Sequence, residues 1–412
     1  MKSITKLNIK YLNLNLISII CACIVPLLVT GSFLPDLHVS LLSIWFLYFS
    51  FKNRIFYIYN NNYFYIFIAF CLVCILSSIL SDDIFLSLKN SLFYFRIGIF
   101  ALLISFLIDQ NRKVLDYFYY SFLITFSVLI IDGYYQYFTG VNLIGYEKHG
   151  IRVSSFFGNE LILGSYLSRL FPLFFALFIV RDKKNSLEVY SISFLFILID
   201  VLIFLAGERT AFVLFNMSTI FIIIFISQYK LMRLGVFLIS LIVISFFTMN
   251  DAKLYNRYIV SPIQSMGIDG SKKHMFTASH DGLIRGAWRM FLDKPILGHG
   301  PKLFRVKCRD TKYLSNEFKC HQHPHNFYVQ LLAETGIIGF LFLAGLFFYF
   351  CYIMTKHTAI YLRFKSRWLT DYQICLLAGL LITIWPLTTS GSFFTNKLML
   401  FYSLQMGFFK KL

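Results

Sequence analysis

Charge is scarce in this chain. Only 14% of its 412 residues are Asp, Glu, Lys or Arg, against 58% hydrophobic residues, and the mean hydropathy is +0.68. So few charges cannot solvate a water-soluble domain built from so much apolar surface, and that class is excluded. Internal repeats and low-complexity segments are also lacking, and no soluble domain is expected at either end. The basic N-terminal stretch MKSITKLNIKYLNLNL precedes an apolar run as in a signal peptide, but no small-x-small cleavage site follows. It is expected to be a retained first helix.

What is present is a series of apolar runs, each long enough to cross roughly 30 Å of hydrocarbon. They fall at about 14–31, 36–52, 63–80, 91–108, 115–138, 160–180, 188–206, 210–227, 232–249, 325–353, 371–390 and 394–409. The expected architecture is therefore an all-α membrane protein of about twelve transmembrane helices. Three regions follow: helices 1–9 over 1–249, a long loop with catalytic elements over 250–324, and helices 10–12 over 325–412. Basic residues fall on alternate connections: Lys6 and Lys10, Lys52 and Arg54, Arg112 and Lys113, Arg181 with Lys183 and Lys184, Lys230 and Arg233, the group Lys356, Arg363, Lys365 and Arg367, then Lys410 and Lys411. By the positive-inside rule this side is cytoplasmic, with both termini on it. The formal charge of +18 thus reflects topology, and no nucleic-acid partner is expected.

The opposite side carries a loop near Gly140 to Asn159, a tight turn at Gly207 to Arg209, and the long segment from Asn250 to Pro324. That segment holds thirteen Lys and Arg against six Asp and Glu. Long external segments translocate despite their charge. Clustered cations there suit an anionic partner, either a phosphate-like ligand or anionic lipid headgroups. Cys308 and Cys320 lie in this segment and are expected to form a disulfide in an oxidising compartment. The other six cysteines fall in apolar spans, where Cys behaves as a small hydrophobe.

Six of the nine histidines (His274, His280, His299, His321, His323 and His325) lie between Asn250 and Asn326. Ionisable groups at a membrane edge are costly to maintain and mark a functional site by default. Three readings are open. His321, His323 and His325 alternate and, in an extended backbone, share a face as metal ligands require, although no carboxylate adjoins them. One imidazole, His325 above all, is placed to act as a base at the mouth of the next helix. His325 and Asn326 also suit a helix start. Four arginines share this side: Arg152, Arg209, Arg285 and Arg289, the last two spaced for one helical face. A guanidinium is always charged, planar and able to bind two oxygens, which suits a diphosphate.

The strings RVSSFFGNELILGSYL, GERTAF, LIRGAWRMFLDKPILGHGPKLF and HPHNFYVQLLAETGIIGF look like the successive signatures of the O-antigen ligase and O-antigen polymerase superfamily. The most specific element is the pattern of His325, Asn326, Phe327, Glu334, Gly336 and Gly339, followed by Asp293, Pro295, Gly298 and Gly300. With the span count, the resemblance covers most of the chain. It implies a metal-independent, inverting glycosyltransferase of C-type architecture in the bacterial inner membrane, with no cofactor. Its donor would be an undecaprenyl-diphosphate-linked glycan on the periplasmic side. The acceptor would be lipid A-core for a ligase, or a carrier-linked glycan for a polymerase, in lipopolysaccharide or surface polysaccharide biosynthesis. Carried over by position, His325 matches the essential loop histidine, Arg209 the arginine after the seventh span and Arg285 the arginine early in the loop helix. Arg152, Arg289, His323, Asn326 and Glu334 are candidate substrate contacts. HPH offers two histidines, so His323 shares the candidacy, and GNEL replaces the commoner GNPN-like string at Asn159. The rival reading is a lipid-glycan transporter or flippase without transferase activity, which should show paired repeats and polar groups near the bilayer midplane.

Overall fold

A computed structural model describes residues 13–181, 184–265, 267, 278–313 and 319–409. The expectations for Lys6, Lys10, Lys183, His274, Lys410 and Lys411 fall outside the described residues. Among those described, regular structure is helical, with only isolated bridges such as Val141 to Glu147. The helices of eight residues or more are α1 (Leu14–Ala22), α2 (Phe33–Lys52), α3 (Asn62–Ile79), α4 (Ile84–Ser91), α5 (Phe95–Gln110), α6 (Val114–Thr139), α7 (Leu163–Val180), α8 (Ser186–Leu205), α9 (Arg209–Phe225), α10 (Lys230–Asn250), α11 (Ala278–Asp293), α12 (Phe327–Phe364), α13 (Asp371–Thr383) and α14 (Asn396–Phe409). Eight helices are long and apolar enough to cross a membrane, counting α4 and α5 as one; Leu14–Leu27, α9 and α13 are shorter apolar helices. The chain is thus a polytopic, all-helical membrane protein. Each of the twelve apolar runs contributes a helix.

Local chemistry sets the helix ends. Asn61, Asp83 and Asn185 accept from the amides of Phe64, Leu86 and Glu188, and Thr370 with Gln373 forms a capping box at α13. Each satisfies donors that the first turn leaves free. The centre of the bundle is α7, buried almost all round, as a helix without a polar face should be. Pro172 of α7, Gly379 of α13 and Gln405 of α14 meet there closely.

The connections gather at two ends, as alternating spans require. At one, Arg181 pairs with Glu188 and approaches Asp116, while Asp371 pairs with Arg367 and accepts from the Ser227 and Gln228 amides. At the other, Asp82 pairs with Lys294 and Lys307, and Glu160 with Lys397.

Three features depart from the sequence expectation. Arg233 is not a loop cation: it lies fully buried in α10, paired with Asp200 at 2.7 Å and bonded to Thr219 at 3.0 Å. The span expected over 371–390 is helical only to Thr383, and an irregular strap of residues 385–395 follows, because Pro386 cannot continue the helix. Helix α12 is longer than expected and is broken at Gly336 (φ +65°, ψ −167°).

Candidate active site

The site grows from that helix break. A non-helical residue inside a helix frees carbonyls that must find other donors. Here the Asp293–Gly300 loop supplies them. The His299 amide donates to Ala333 O at 3.0 Å, the Gly300 amide to Glu334 O at 2.8 Å, and the Ile337 amide to Pro295 O at 2.8 Å. A Cβ on Gly336 would lie 2.2 Å from Ile296 O, and one on Gly298 2.5 Å from the Glu334 carbonyl carbon. The glycines of the two most specific motifs are therefore one contact read from both sides.

Glu334 and Asn326 lock this arrangement. Glu334 is fully buried; its carboxylate accepts from the Phe304 amide at 3.0 Å and from Gln330 Nε2 at 2.9 Å. Asn326 caps α12 by accepting from the Tyr328 and Val329 amides, while its Nδ2 donates to Pro386 O at 2.8 Å. Gln330 also donates to Ser392 and accepts from the Phe393 amide. Both candidate substrate contacts thus have their polar atoms engaged within the protein.

His325 sits ahead of this cap with φ +59°, a left-handed conformation uncommon outside glycine and held only where the surroundings fix it. They do so here: its carbonyl accepts from the Ser390 amide at 2.8 Å. Its ring lies 4.2 Å from that of His323, 4.7 Å from His280 and 5.7 Å from His321, centroid to centroid. Burial, then the neighbouring histidines His323, His280 and His321, lowers the His325 pKa to about 3. Burial, then His321 and Arg305, lowers that of His323 to about 4. Both rings are therefore neutral near neutral pH. Among the described residues, no group of three or more His, Cys, Asp or Glu side chains is arranged to hold a metal ion.

The arginines assemble at the Gly207 turn. Arg152 donates to Leu161 O at 2.9 Å and Ala206 O at 3.4 Å, and Arg257 Nε to Gly207 O at 2.6 Å. Arg152 and Arg257 both pack against Gly207, and burial, then Arg152 and Arg209, lowers the Arg257 pKa. Glu208 does not neutralise Arg209 by a salt bridge. Its carboxylate instead caps α7, accepting from the Gly164 amide at 2.8 Å and Ser165 Oγ at 2.5 Å. Burial raises its pKa, against Ser165, Arg152 and Arg169.

The strap joins the two halves. Thr210, next to Arg209, meets Thr389 at 3.0 Å, and the following Ser390 holds His325. Arg209 also contributes, after burial and His321, to lowering His280, whose ring packs on His325.

Of the sequence candidates, Arg152, Arg209, His323 and His325 therefore converge. Arg285 and Arg289 share the exposed face of α11 as their spacing predicts. Arg285 bonds to Asp281 O one turn back, and Arg289 to Tyr313 O at 3.3 Å. Arg257, His280 and the strap escaped the sequence reading. Only the histidine count hinted at His280, and nothing local marks Arg257. The expected Cys308–Cys320 disulfide forms, with Cα atoms 5.3 Å apart.

No curated protein matches this chain. A family model described as O-antigen ligase matches residues 192–344, a stretch that contains Arg209, Arg257, the histidines and the helix break but not Arg152 or the strap. Over those residues, which carry the GERTAF, Asp293–Gly300 and His325–Gly339 motifs, the chain is similar to the O-antigen ligase family.

Proposed function

We propose that this protein transfers a glycan from undecaprenyl diphosphate to an acceptor hydroxyl at the periplasmic face of the inner membrane, without a metal ion. The acceptor would be lipid A-core in a ligase or another carrier-linked glycan in a polymerase. The observation that carries this reading is the assembly of Arg152, Arg209 and Arg257 beside His280 and His325. Three guanidiniums with the one Glu208 carboxylate among them keep an excess of positive charge, which a diphosphate would balance.

In this reading the diphosphate binds the arginines, which stabilise the charge that develops on it. The acceptor oxygen attacks the anomeric carbon from the opposite side, so that configuration inverts. The new glycosidic C–O bond forms as the bond to the diphosphate breaks. The hydroxyl proton passes to the neutral His325 ring and then to solvent, while undecaprenyl diphosphate leaves with the bonding electron pair. A bound diphosphate beside the histidines raises their pKa toward the ordinary range, because a nearby opposite charge favours the protonated form. The ring therefore becomes a better base when the donor is present. Glu334 and Asn326 act as positioning residues, and Arg285 serves the diphosphate from α11.

Against the transporter reading stands the use made of the broken helix: its freed carbonyls accept from the 295–300 loop rather than facing an ion path. The test is transfer by purified protein from an undecaprenyl-diphosphate-linked glycan, with and without chelator. Glycosylated acceptor in both arms supports the proposal. Glycan crossing a bilayer with no acceptor modified would support the transporter, and activity lost to chelator and restored by zinc would return the histidines to a metal role. A reporter fused near Lys312 should read periplasmic, and fusions at Lys184 and Lys230 cytoplasmic.

A further inference from the structure

A second cationic site lies beyond the histidines. The short helix Phe304–Lys307 and the turn after it carry Arg305 and Arg309, four residues apart. They line a cleft of about 420 Å³ with Val306, Cys320, His321 and Gln322. The Cys308–Cys320 disulfide ties this wall together. Arg305 is half-buried, and its Nε is buried without a hydrogen-bond partner among the described residues. The Glu334 carboxylate, on which Arg305 acts electrostatically, already accepts from the Phe304 amide and Gln330. A desolvated guanidinium N–H facing no acceptor is costly unless a ligand satisfies it. The cleft volume is that of a sugar-sized site.

Its position is informative. Arg209 acts electrostatically on His280, and Arg305 acts on His323. His321 lines the cleft and its ring lies 5.7 Å from that of His325, so both cationic groups reach the histidine cluster. The proposed transfer needs two substrates to meet at one base, and the arginines at Gly207 provide for only one of them.

We infer that the Arg305–Arg309 cleft binds an anionic group, a phosphate or a carboxylate, borne by the acceptor glycan, beside the histidine cluster at His321 and separate from the arginines of the Gly207 turn. This assignment rests on the transferase reading for the word acceptor, but the anion site itself does not. The two guanidiniums hold the acidic sugar while its neighbouring hydroxyl reaches His325. Acceptors without a negative charge bind weakly.

The test uses the full-length protein in detergent and three soluble probes: glucose 6-phosphate, glucuronate and glucose. Farnesyl diphosphate serves as the donor-site probe. The Arg305→Gln, Arg309→Gln double variant should weaken binding of glucose 6-phosphate or glucuronate about tenfold or more, the worth of a hydrogen bond to a charged group. Farnesyl diphosphate binding should be unchanged. Whichever acidic sugar binds tighter identifies the anion, and glucose should bind neither protein measurably. Arg209→Gln should do the reverse. If the Gln pair does not fold, judged by its thermal transition and an intact disulfide, the Arg305→Lys, Arg309→Lys pair replaces it and should show a smaller loss of the same kind. Acidic-sugar binding that is indifferent to both pairs overturns the site. Short-chain phosphatidylglycerol that binds there more tightly than either sugar, with the same sensitivity to Arg305 and Arg309, overturns the acceptor assignment in favour of a lipid headgroup. Farnesyl diphosphate binding insensitive to Arg209→Gln would refute the donor site instead and leave this one standing.

Discussion

Two arginine sites in this protein differ in what surrounds them. Arg233 is paired through both terminal nitrogens, to Asp200 at 2.7 Å and 3.2 Å and to Thr219 at 3.0 Å, with the ring of Phe171 beneath its guanidinium, and only its Nε is left without a partner. Arg209 sits with Arg152 and Arg257, and the carboxylate beside it in sequence caps another helix. A buried ion pair closed on itself holds helices together. A group of like charges has a binding capacity left over. The same residue type is thus closed in an ion pair at one end of the bundle and, in the proposed function, holds the donor at the other.

Breaking the pair should have the largest effect on folding. Asp200→Asn leaves a buried charge uncompensated and should destabilise by about 3–5 kcal/mol, read as a lowered unfolding transition or lost yield. Arg209→Gln should leave that transition in place. Equal destabilisation by both would erase the distinction.

Arg209→Lys sharpens it from the functional side. An ammonium keeps the charge but not the planar two-point contact. Transfer should fall by about 10²–10³-fold, the range for removing one transition-state donor, with the fold intact. Arg233→Lys measured alongside should lose stability before activity per folded molecule.

The Cys308–Cys320 bridge lies between these extremes. Replacing both by Ser should cost about 2–4 kcal/mol of local stability, as expected for closing a short loop. Faster amide exchange in the Arg305 segment would report it, and unchanged exchange would count against a shaping role.

A further effect concerns pH. His323 and His325 are lowered from an ordinary 6.5 to about 4 and about 3. Between those limits the unfolded chain binds protons that the folded chain does not. Stability should therefore fall as pH drops from 6.5 through this window, and level off below it. The melting temperature of the wild type should decline more steeply with acid than that of a His323→Gln, His325→Gln variant. Parallel declines would mean that the rings are not held neutral.

Much of this was legible in the sequence because it is written locally. Twelve apolar runs yield helices, and the spacing of Leu283, Ala287 and Met290 gives α11 its buried face. His325 and Arg209 stand in recognisable strings. What escaped depends on partners far along the chain. Arg257 looks like one more solvated cation until its Nε reaches Gly207 O, 50 residues away. Arg233 looks like a loop charge until Asp200 is set beside it. The strap passes for the end of a span because it carries no charged residue, while its polar backbone is satisfied by Asn326, Gln330 and His325. Irregular backbone at membrane depth is tolerated only under such cover.

The central claim is that arginines hold the donor while His325 activates the acceptor. The most direct test measures donor binding and single-turnover transfer separately in His325→Ala. Binding should persist while turnover falls by about 10²–10⁴-fold, the usual worth of a positioned base. Full turnover in His325→Ala and in the His323, His325 double alanine variant would contradict the account.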